Sequence, residues 1–134
     1  MHLEYIAVGV PISNQSAGTP ALLAWRAAVE AEARRNWNTV PLTGNLKVVI
    51  INFHTGDKPS LDLDNMSKPI LDVMQAIVYD DDRQIRQAEF THAELNGLYK
   101  VAGASEKILT AMPLNQPFVY IRIEDPVIPF PLPK

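Results

Sequence analysis

The chain has 134 residues, of which 47% are hydrophobic and 20% are charged, and its formal net charge is −3. These values are typical of one globular domain and exclude an intrinsically disordered chain. The absence of cysteine excludes disulfide scaffolds, thiolate zinc sites and cysteine nucleophiles. No apolar run reaches the roughly 18–20 residues that span a bilayer, and the N-terminus makes a poor secretion signal, so we expect a soluble, cytoplasmic protein.

The first half of the chain predicts a strand, a helix and a second strand. Residues 3–12 are rich in β-branched side chains, which favour a strand. The alanine-rich stretch 21–37 predicts a helix, with Thr19 as its N-cap and Pro20 at the first helical position. Its expected buried face recurs at spacings of three and four residues: Leu22, Trp25, Val29 and Ala33. Residues 46–54 are apolar on both faces and predict a strand in the middle of a sheet.

The second half predicts two helices, two strands and an extended tail. We expect a helix from about residue 64 to 78, a strand over 84–94, a short helix over 105–112 and a strand over 118–123. This order of elements predicts an α+β fold, with helices packed on a mixed or mainly antiparallel sheet. The domain is expected to cover residues 1–125, because the segment 126–134 holds four prolines and should be extended without strand pairing.

The predicted helix over 64–78 contains a proline close to its start. Its expected buried face is Met66, Ile70, Met74 and Ile77. Pro69 would delete one early hydrogen bond if the helix began at Asn65, so we expect the start nearer Ser67. Lys68 precedes Asp72 by four residues, and for Asp72 we favour an ion pair with Lys68 over metal ligation.

The acidic residues are concentrated in one 21-residue segment, which leaves the rest of the chain mildly basic. Six of the fifteen lie there: Asp62, Asp64, Asp72, Asp80, Asp81 and Asp82. Residues 61–65 are predicted to be extended, so the side chains of Asp62 and Asp64 should point to the same side and converge. Two close carboxylates favour a cation between them. Oxygen donors without cysteine or histidine nearby select magnesium, manganese or calcium over zinc.

Three aspartates at the exit of the predicted helix, residues 80–82, strengthen the metal-site interpretation. They oppose the helix dipole at that end, which indicates a counter-charge such as a metal ion. Other interpretations stay open at this point. Asp64 is also suited to cap the helix, Lys68 to pair with a neighbouring carboxylate, and the acidic segment to form a solvated helix face and turn.

Two stretches of this segment resemble the signature of the RusA family of Holliday junction resolvases. The first is Asp62-Leu63-Asp64-Asn65-Met66-Ser67-Lys68-Pro69-Ile70-Leu71-Asp72, and the second is Asp81-Asp82-Arg83-Gln84-Ile85. The family pattern reads D-x-D-N-x-x-K, then a helix with an internal aspartate, and then D-D-x-Q before a β-branched residue. Pro11-Ile12-Ser13-Asn14 also resembles the end of the family's first strand.

The resemblance implies a RusA-like fold and a homodimeric endonuclease that acts on four-way DNA junctions in recombination and repair. It also implies dependence on Mg²⁺, with Mn²⁺ as an alternative ion. By position, Asp62, Asp64 and Asp82 match the family's catalytic carboxylates and would hold the metal ion, and Lys68 matches the catalytic lysine. A twofold dimer would present two such sites, one for each of two symmetry-related strands.

Nucleic acid is expected to contact basic side chains in and near this segment: Lys58, Lys68, Arg83 and Arg86. Two departures from the family pattern have consequences. Residues 75–80 lack the expected glycine and are one residue short, which leaves Asp81 or Asp80 as substitutes for Asp82. The strand after Gln84 is poor in lysine, which predicts fewer phosphate contacts and a shallower dependence of binding on salt.

The acidic balance and the altered Asp-Asp region favour an alternative function from a different class. In this alternative, the chain is a non-catalytic module that keeps the fold and binds DNA or a protein partner. Such a module would bind a junction or a partner without any cleavage that depends on a divalent ion.

Overall fold

The computed structural model describes residues 1–56 and 61–134. Within these ranges it contains four strands and three α-helices, and their bounds are β1 (Leu3–Val8), α1 (Pro20–Asn36), β2 (Leu46–His54), α2 (Leu63–Met74), β3 (Ile85–Glu94), α3 (Glu106–Ala111) and β4 (Phe118–Glu124). In the part of the chain described, no helix combines the length and the apolar character that crossing a membrane requires.

The four strands form one mixed sheet in the order β1-β4-β2-β3. β4 lies antiparallel to both β1 and β2, whereas β3 is parallel to β2. β2 is therefore an interior strand, as its two apolar faces predicted, and the side chains of Val48 and Ile50 are fully buried. This architecture confirms the predicted α+β fold and mixed sheet.

The sheet has a large core on one face and a smaller one on the other. α1 and α2 cover the first face, and α1 buries the four residues that its spacing predicted. Its N-cap is Thr19, whose hydroxyl accepts a hydrogen bond from the N–H of Leu22 at 3.3 Å. α3, capped by Ser105 as predicted, packs on the second face against Phe53 and Phe118.

Parallel strands need a crossover connection, and α2 provides it between β2 and β3. Leu46 pairs with Ile85 at one end of the strands, and His54 pairs with Glu94 at the other. α2 therefore runs from the end of β2 back to the beginning of β3. As a result, the aspartates at the start of α2 and those after its end lie at opposite ends of one helix.

Two predicted elements end earlier than expected. β1 stops at Val8, not at residue 12, because Gly9 has a φ of +128° and leaves the extended conformation. α2 stops at Met74, not at residue 78, because the next residue is extended and Ala76 has a left-handed φ of +73°. Ile77 consequently lies beyond the helix and is only half-buried, whereas the other three predicted buried residues of α2 are fully buried.

The proline-rich segment 126–134 contains neither a helix nor a strand. Its one described anchor on the sheet is the backbone of Val127, which exchanges two hydrogen bonds with the Gln87 side chain of β3 at 3.0 and 3.1 Å. These two contacts place the beginning of the segment against the outer strand of the sheet.

Candidate active site

The first predicted carboxylate lies immediately before α2. Asp62 is the N-cap, and its Oδ1 accepts a hydrogen bond from the backbone N–H of Asn65 at 2.9 Å. The expected start near Ser67 is wrong, because the helix begins at Leu63 and contains Pro69 in its interior. The Asp62 cap satisfies a free N–H at the helix start, and the Pro69 side chain is buried, which together offset the single missing hydrogen bond.

Because α2 begins at Leu63, the two predicted metal ligands Asp62 and Asp64 do not lie together in an extended segment. Asp62 has extended backbone, but Asp64 already lies in the first helical turn. The alternation of side chains along an extended chain therefore does not describe this pair. Both carboxylates are exposed to solvent at the N-terminal turn of α2, where the positive end of the helix dipole favours negative charge.

One turn further along α2, Lys68 is held by a carboxylate. Its Nζ lies 2.5 Å from Oδ1 of Asp72, and the guanidinium of Arg26 from α1 approaches the other oxygen of Asp72 at 3.9 Å. This geometry confirms the predicted ion pair between Lys68 and Asp72. The hydrogen bond that Lys68 donates to Asp72 raises the pKa of Lys68, and the negative charge of Asp82 adds to this effect, so Lys68 is a cation at neutral pH.

After α2, the two adjacent aspartates of the predicted D-D-x-Q motif point in different directions. Asp81 caps the 3-10 turn Asp82–Gln84 and accepts hydrogen bonds from the backbone N–H of Arg83 at 2.8 Å and from its guanidinium at 3.0 and 3.2 Å. These hydrogen bonds lower the pKa of Asp81. The oxygens of Asp81 are thus occupied within its own turn.

Asp82 instead faces the end of α2. Its Oδ1 lies 3.2 Å from the hydroxyl of Tyr79, and the amide nitrogen of Gln75, in the orientation that satisfies both groups, lies 3.2 Å from each oxygen. Asp82 also contributes to the charge around Lys68. Of the two neighbouring aspartates, Asp82 is therefore the one that shares its surroundings with Lys68.

The turn that carries Asp82 is clamped by Gln84. Its Oε1 accepts hydrogen bonds from the backbone N–H groups of Asp80 and Asp81 at 2.8 and 2.9 Å. Its Nε2 donates to the carbonyl oxygens of Leu42 and Gly44, each at 2.9 Å. The glutamine of the motif thus ties the turn to the loop before β2, a role that the sequence pattern alone did not reveal.

The residue before Asp62 is anchored to the sheet by a histidine that the sequence reasoning missed. His92 of β3 accepts a hydrogen bond from the Asn52 amide at its Nδ1 (3.1 Å) and donates from its Nε2 to the carbonyl of Leu61 (2.9 Å). Burial lowers the pKa of His92, so the ring is neutral at pH 7. No local signal identifies this contact, because it depends on the parallel register that pairs Asn52 with His92.

The structure describes three of the four side chains that were predicted to contact nucleic acid. Lys58 lies outside the described residues. Lys68 and Arg83 are each paired with an aspartate, and the Arg83 side chain is 91% exposed. Arg86 is exposed on β3, beside the proline-rich segment. Their role in binding DNA stays a prediction.

The structure does not bring the three predicted metal ligands together in one chain. Asp64 lies in the first turn of α2, whereas the Asp82 carboxylate contacts Tyr79 and Gln75 near the other end of the helix. Ligands of one magnesium ion lie only about 2 Å from it. Across residues 1–56 and 61–134, no group of three or more histidine, cysteine or acidic side chains has an arrangement that could hold a metal ion.

The chemistry of the donors nevertheless fits a hard divalent ion. Asp62, Asp64 and Asp82 offer only carboxylate oxygens, and these are the ligands that magnesium and manganese prefer. Lys68 supplies a positive charge on α2, one helical turn after Asp64. The residues therefore suit a site that binds a divalent cation next to an anionic substrate.

Comparison with known proteins identifies the family. The family model described as Endodeoxyribonuclease RusA matches residues 13–104, which is more than half of the chain and includes α1, α2 and β3. Comparison with curated proteins gives no match. The matched region contains the whole signature from Asp62 to Gln84. The chain belongs to the RusA family of endodeoxyribonucleases, whose members are Holliday junction resolvases.

Proposed function

We propose that this protein is a homodimeric endonuclease that depends on Mg²⁺ or Mn²⁺ and resolves four-way DNA junctions by paired nicks. The observation that carries this proposal is the family signature on and after α2, in which Lys68 forms an ion pair with Asp72. A lysine in this state suits a phosphate group, and the neighbouring carboxylates suit the metal ion that phosphate chemistry requires.

In this mechanism Asp62, Asp64 and Asp82 would hold the metal ion. The bound ion would supply charge neutralisation at the scissile phosphate and a more acidic water. Lys68 adds a further positive charge where the transition state develops negative charge on the phosphate oxygens. Asp72 fixes the direction of the Lys68 side chain through the hydrogen bond at 2.5 Å.

The separation of the carboxylates along α2 gives the homodimer a chemical role. Among the described residues of one chain, Asp62, Asp64 and Asp82 do not form a group that could hold a metal ion. We infer that the second copy of the chain supplies Asp82 to the site that contains Asp62 and Asp64. Twofold symmetry would then create two such sites, one for each strand that is nicked.

The charge distribution indicates weak electrostatic attraction to DNA. The net charge is −3, and Lys68 and Arg83 are each paired with an aspartate. We propose that Lys58, Lys68, Arg83 and Arg86 contact phosphates near the nicked strands. Few such contacts predict a small dependence of binding on salt concentration.

A nicking assay on a synthetic four-way junction tests the proposed function. The wild-type protein should nick the junction in Mg²⁺ or Mn²⁺ and lose this activity in a chelator, whereas a linear duplex of the same sequence should stay intact. Asp64→Asn replaces one carboxylate oxygen with an amide nitrogen and should abolish nicking without loss of the fold. Cleavage that persists in this variant would remove Asp64 from the mechanism.

The separation of the three carboxylates in one chain also favours a second candidate function. A non-catalytic module with the same fold would bind a junction or a protein partner without assembling a metal site. The same assay distinguishes the two functions. Junction binding without any cleavage in Mg²⁺ or Mn²⁺ would support the non-catalytic module.

A further inference from the structure

Two side chains that the family signature does not include hold the carboxylate of Asp82. The hydroxyl of Tyr79 lies 3.2 Å from Oδ1, and the amide nitrogen of Gln75 lies 3.2 Å from both oxygens. Tyr79 and Gln75 belong to the short connection between α2 and the turn Asp82–Gln84. Together they fix the direction in which the Asp82 carboxylate points.

Tyr79 is itself held rigidly. Its ring is fully buried, and its hydroxyl also donates to the carbonyl oxygen of Leu71 at 2.9 Å. That carbonyl already accepts the backbone N–H of Gln75 at 3.1 Å, so it keeps a partner when the phenol proton turns to Asp82.

We propose that Tyr79 and Gln75 are positioning residues that orient Asp82 for binding of the divalent ion. This inference rests on the proposed function, in which Asp82 is a metal ligand. A carboxylate has about four acceptor positions, so the three contacts from Tyr79 and Gln75 leave a lone pair for the ion. Partners that orient a metal ligand typically change metal affinity by about 10–100-fold.

Tyr79→Phe tests the inference because it removes only the hydroxyl. Mn²⁺ binding to the DNA-free protein should weaken by about 10–100-fold, as measured by calorimetry or by the electron paramagnetic resonance signal of free Mn²⁺. Nicking should require correspondingly more Mn²⁺ and recover its rate at saturation. Tyr5→Phe is the matched control, since Tyr5 is also fully buried and its hydroxyl has no partner among the described residues. It should leave Mn²⁺ affinity unchanged.

Gln75→Ala provides a second variant, because Gln75 is exposed and its truncation should not affect folding. It should also weaken Mn²⁺ binding. Wild-type affinity in folded Tyr79→Phe overturns the inference, and if that variant does not fold, wild-type affinity in Gln75→Ala does so. Either result leaves the proposed function intact, since the wild-type protein still binds the ion. A wild-type protein that binds no Mn²⁺ overturns the proposed function and this inference together.

Discussion

The side chain of Lys68, on the surface of α2, is held in one direction by the residues around it. Asp72 lies one helical turn away and accepts its hydrogen bond, and Arg26 approaches the far oxygen of Asp72. This arrangement leaves Lys68 charged and directs its side chain along α2 toward Asp72. A lysine without Asp72 would keep its charge but lose this direction.

Replacement of Asp72 by asparagine should therefore lower the nicking rate and leave the free energy of unfolding almost unchanged. We expect the single-turnover nicking rate to fall by about tenfold, because Lys68 is no longer oriented toward the phosphate. The free energy of unfolding should change by less than about 0.5 kcal/mol, since the pair is exposed and screened by solvent.

Glu30→Gln is the control for this prediction. It breaks the pair between Arg34 and Glu30 on α1, which has the same spacing and an N–O distance of 3.2 Å. It should change neither the nicking rate nor the stability appreciably. Equal nicking by wild type and Asp72→Asn would show that the ion pair serves only the helix.

His92 predicts a specific dependence of stability on pH. Burial lowers its pKa in the folded protein below the ordinary value of 6.5. The unfolded chain therefore binds more protons just below pH 6.5, and the free energy of unfolding falls as the pH drops from 6.5 toward the folded-state pKa. Urea unfolding between pH 7.5 and pH 5 should show a steeper loss for wild type than for His92→Gln. Equal slopes would contradict the buried, neutral state of His92.

The family signature gave roles for Asp62, Asp64 and Lys68 that stay predictions, and it did not indicate the contacts that surround them. Tyr79, Gln84 and His92 make contacts that depend on a turn or on a parallel strand register, and no local pattern encodes either. These contacts become visible only when the fold is known.

Among the secondary-structure elements, the exit of α2 shows how the chain turns without the glycine that the family pattern leads us to expect. Residues 75–80 lack the expected glycine, yet the chain still adopts a left-handed conformation there, with Ala76 at a φ of +73°. An alanine in that region costs roughly 1–2 kcal/mol relative to a helical conformation, whereas glycine adopts it freely.

Ala76→Gly should accordingly stabilise the protein. We expect a gain of about 1 kcal/mol in the free energy of unfolding, because relief of the left-handed strain exceeds the entropy that glycine adds to the unfolded chain. Denaturant unfolding measures this gain. Ala28→Gly, in the exposed interior of α1, is the control and should destabilise by about 1 kcal/mol. A loss of stability in Ala76→Gly would show that the left-handed turn is not strained.

Elements with strong local signals were predicted well, and elements that end at special backbone positions were not. α1 has a threonine cap, a proline at its first position and a regular apolar spacing, and all three are confirmed. The ends of β1 and α2 depend on the φ angles of Gly9 and Ala76, which composition does not determine. The predicted start of α2 near Ser67 was too late, because Pro69 was expected to lie at the helix start. The Asp62 cap, which helps to offset the hydrogen bond lost at Pro69, was not recognised.

At the scale of the whole molecule, the account requires a dimer that shares its active sites. The chain mass is 14.9 kDa, and sedimentation should give twice this value. We expect Asp64→Asn and Asp82→Asn homodimers to be inactive. A heterodimer of the two, purified with two different tags, should regain one active site, because one site receives Asp64 and Asp82 from unmutated positions.

The same heterodimer distinguishes shared sites from sites within one chain. If each site used Asp64 and Asp82 of the same chain, both sites would carry one defect and the heterodimer would be inactive. With shared sites, the heterodimer should nick one strand of a four-way junction per binding event at about half the wild-type rate. An inactive heterodimer that still binds the junction would contradict the shared arrangement.

A crystal structure with Mn²⁺ would show where the metal ion binds, because the anomalous signal of manganese locates the ion independently of activity. The account predicts a peak in contact with Asp62 and Asp64 of one chain and with Asp82 from the dimer partner. A peak on Asp81, or no peak beside any of these carboxylates, would contradict it.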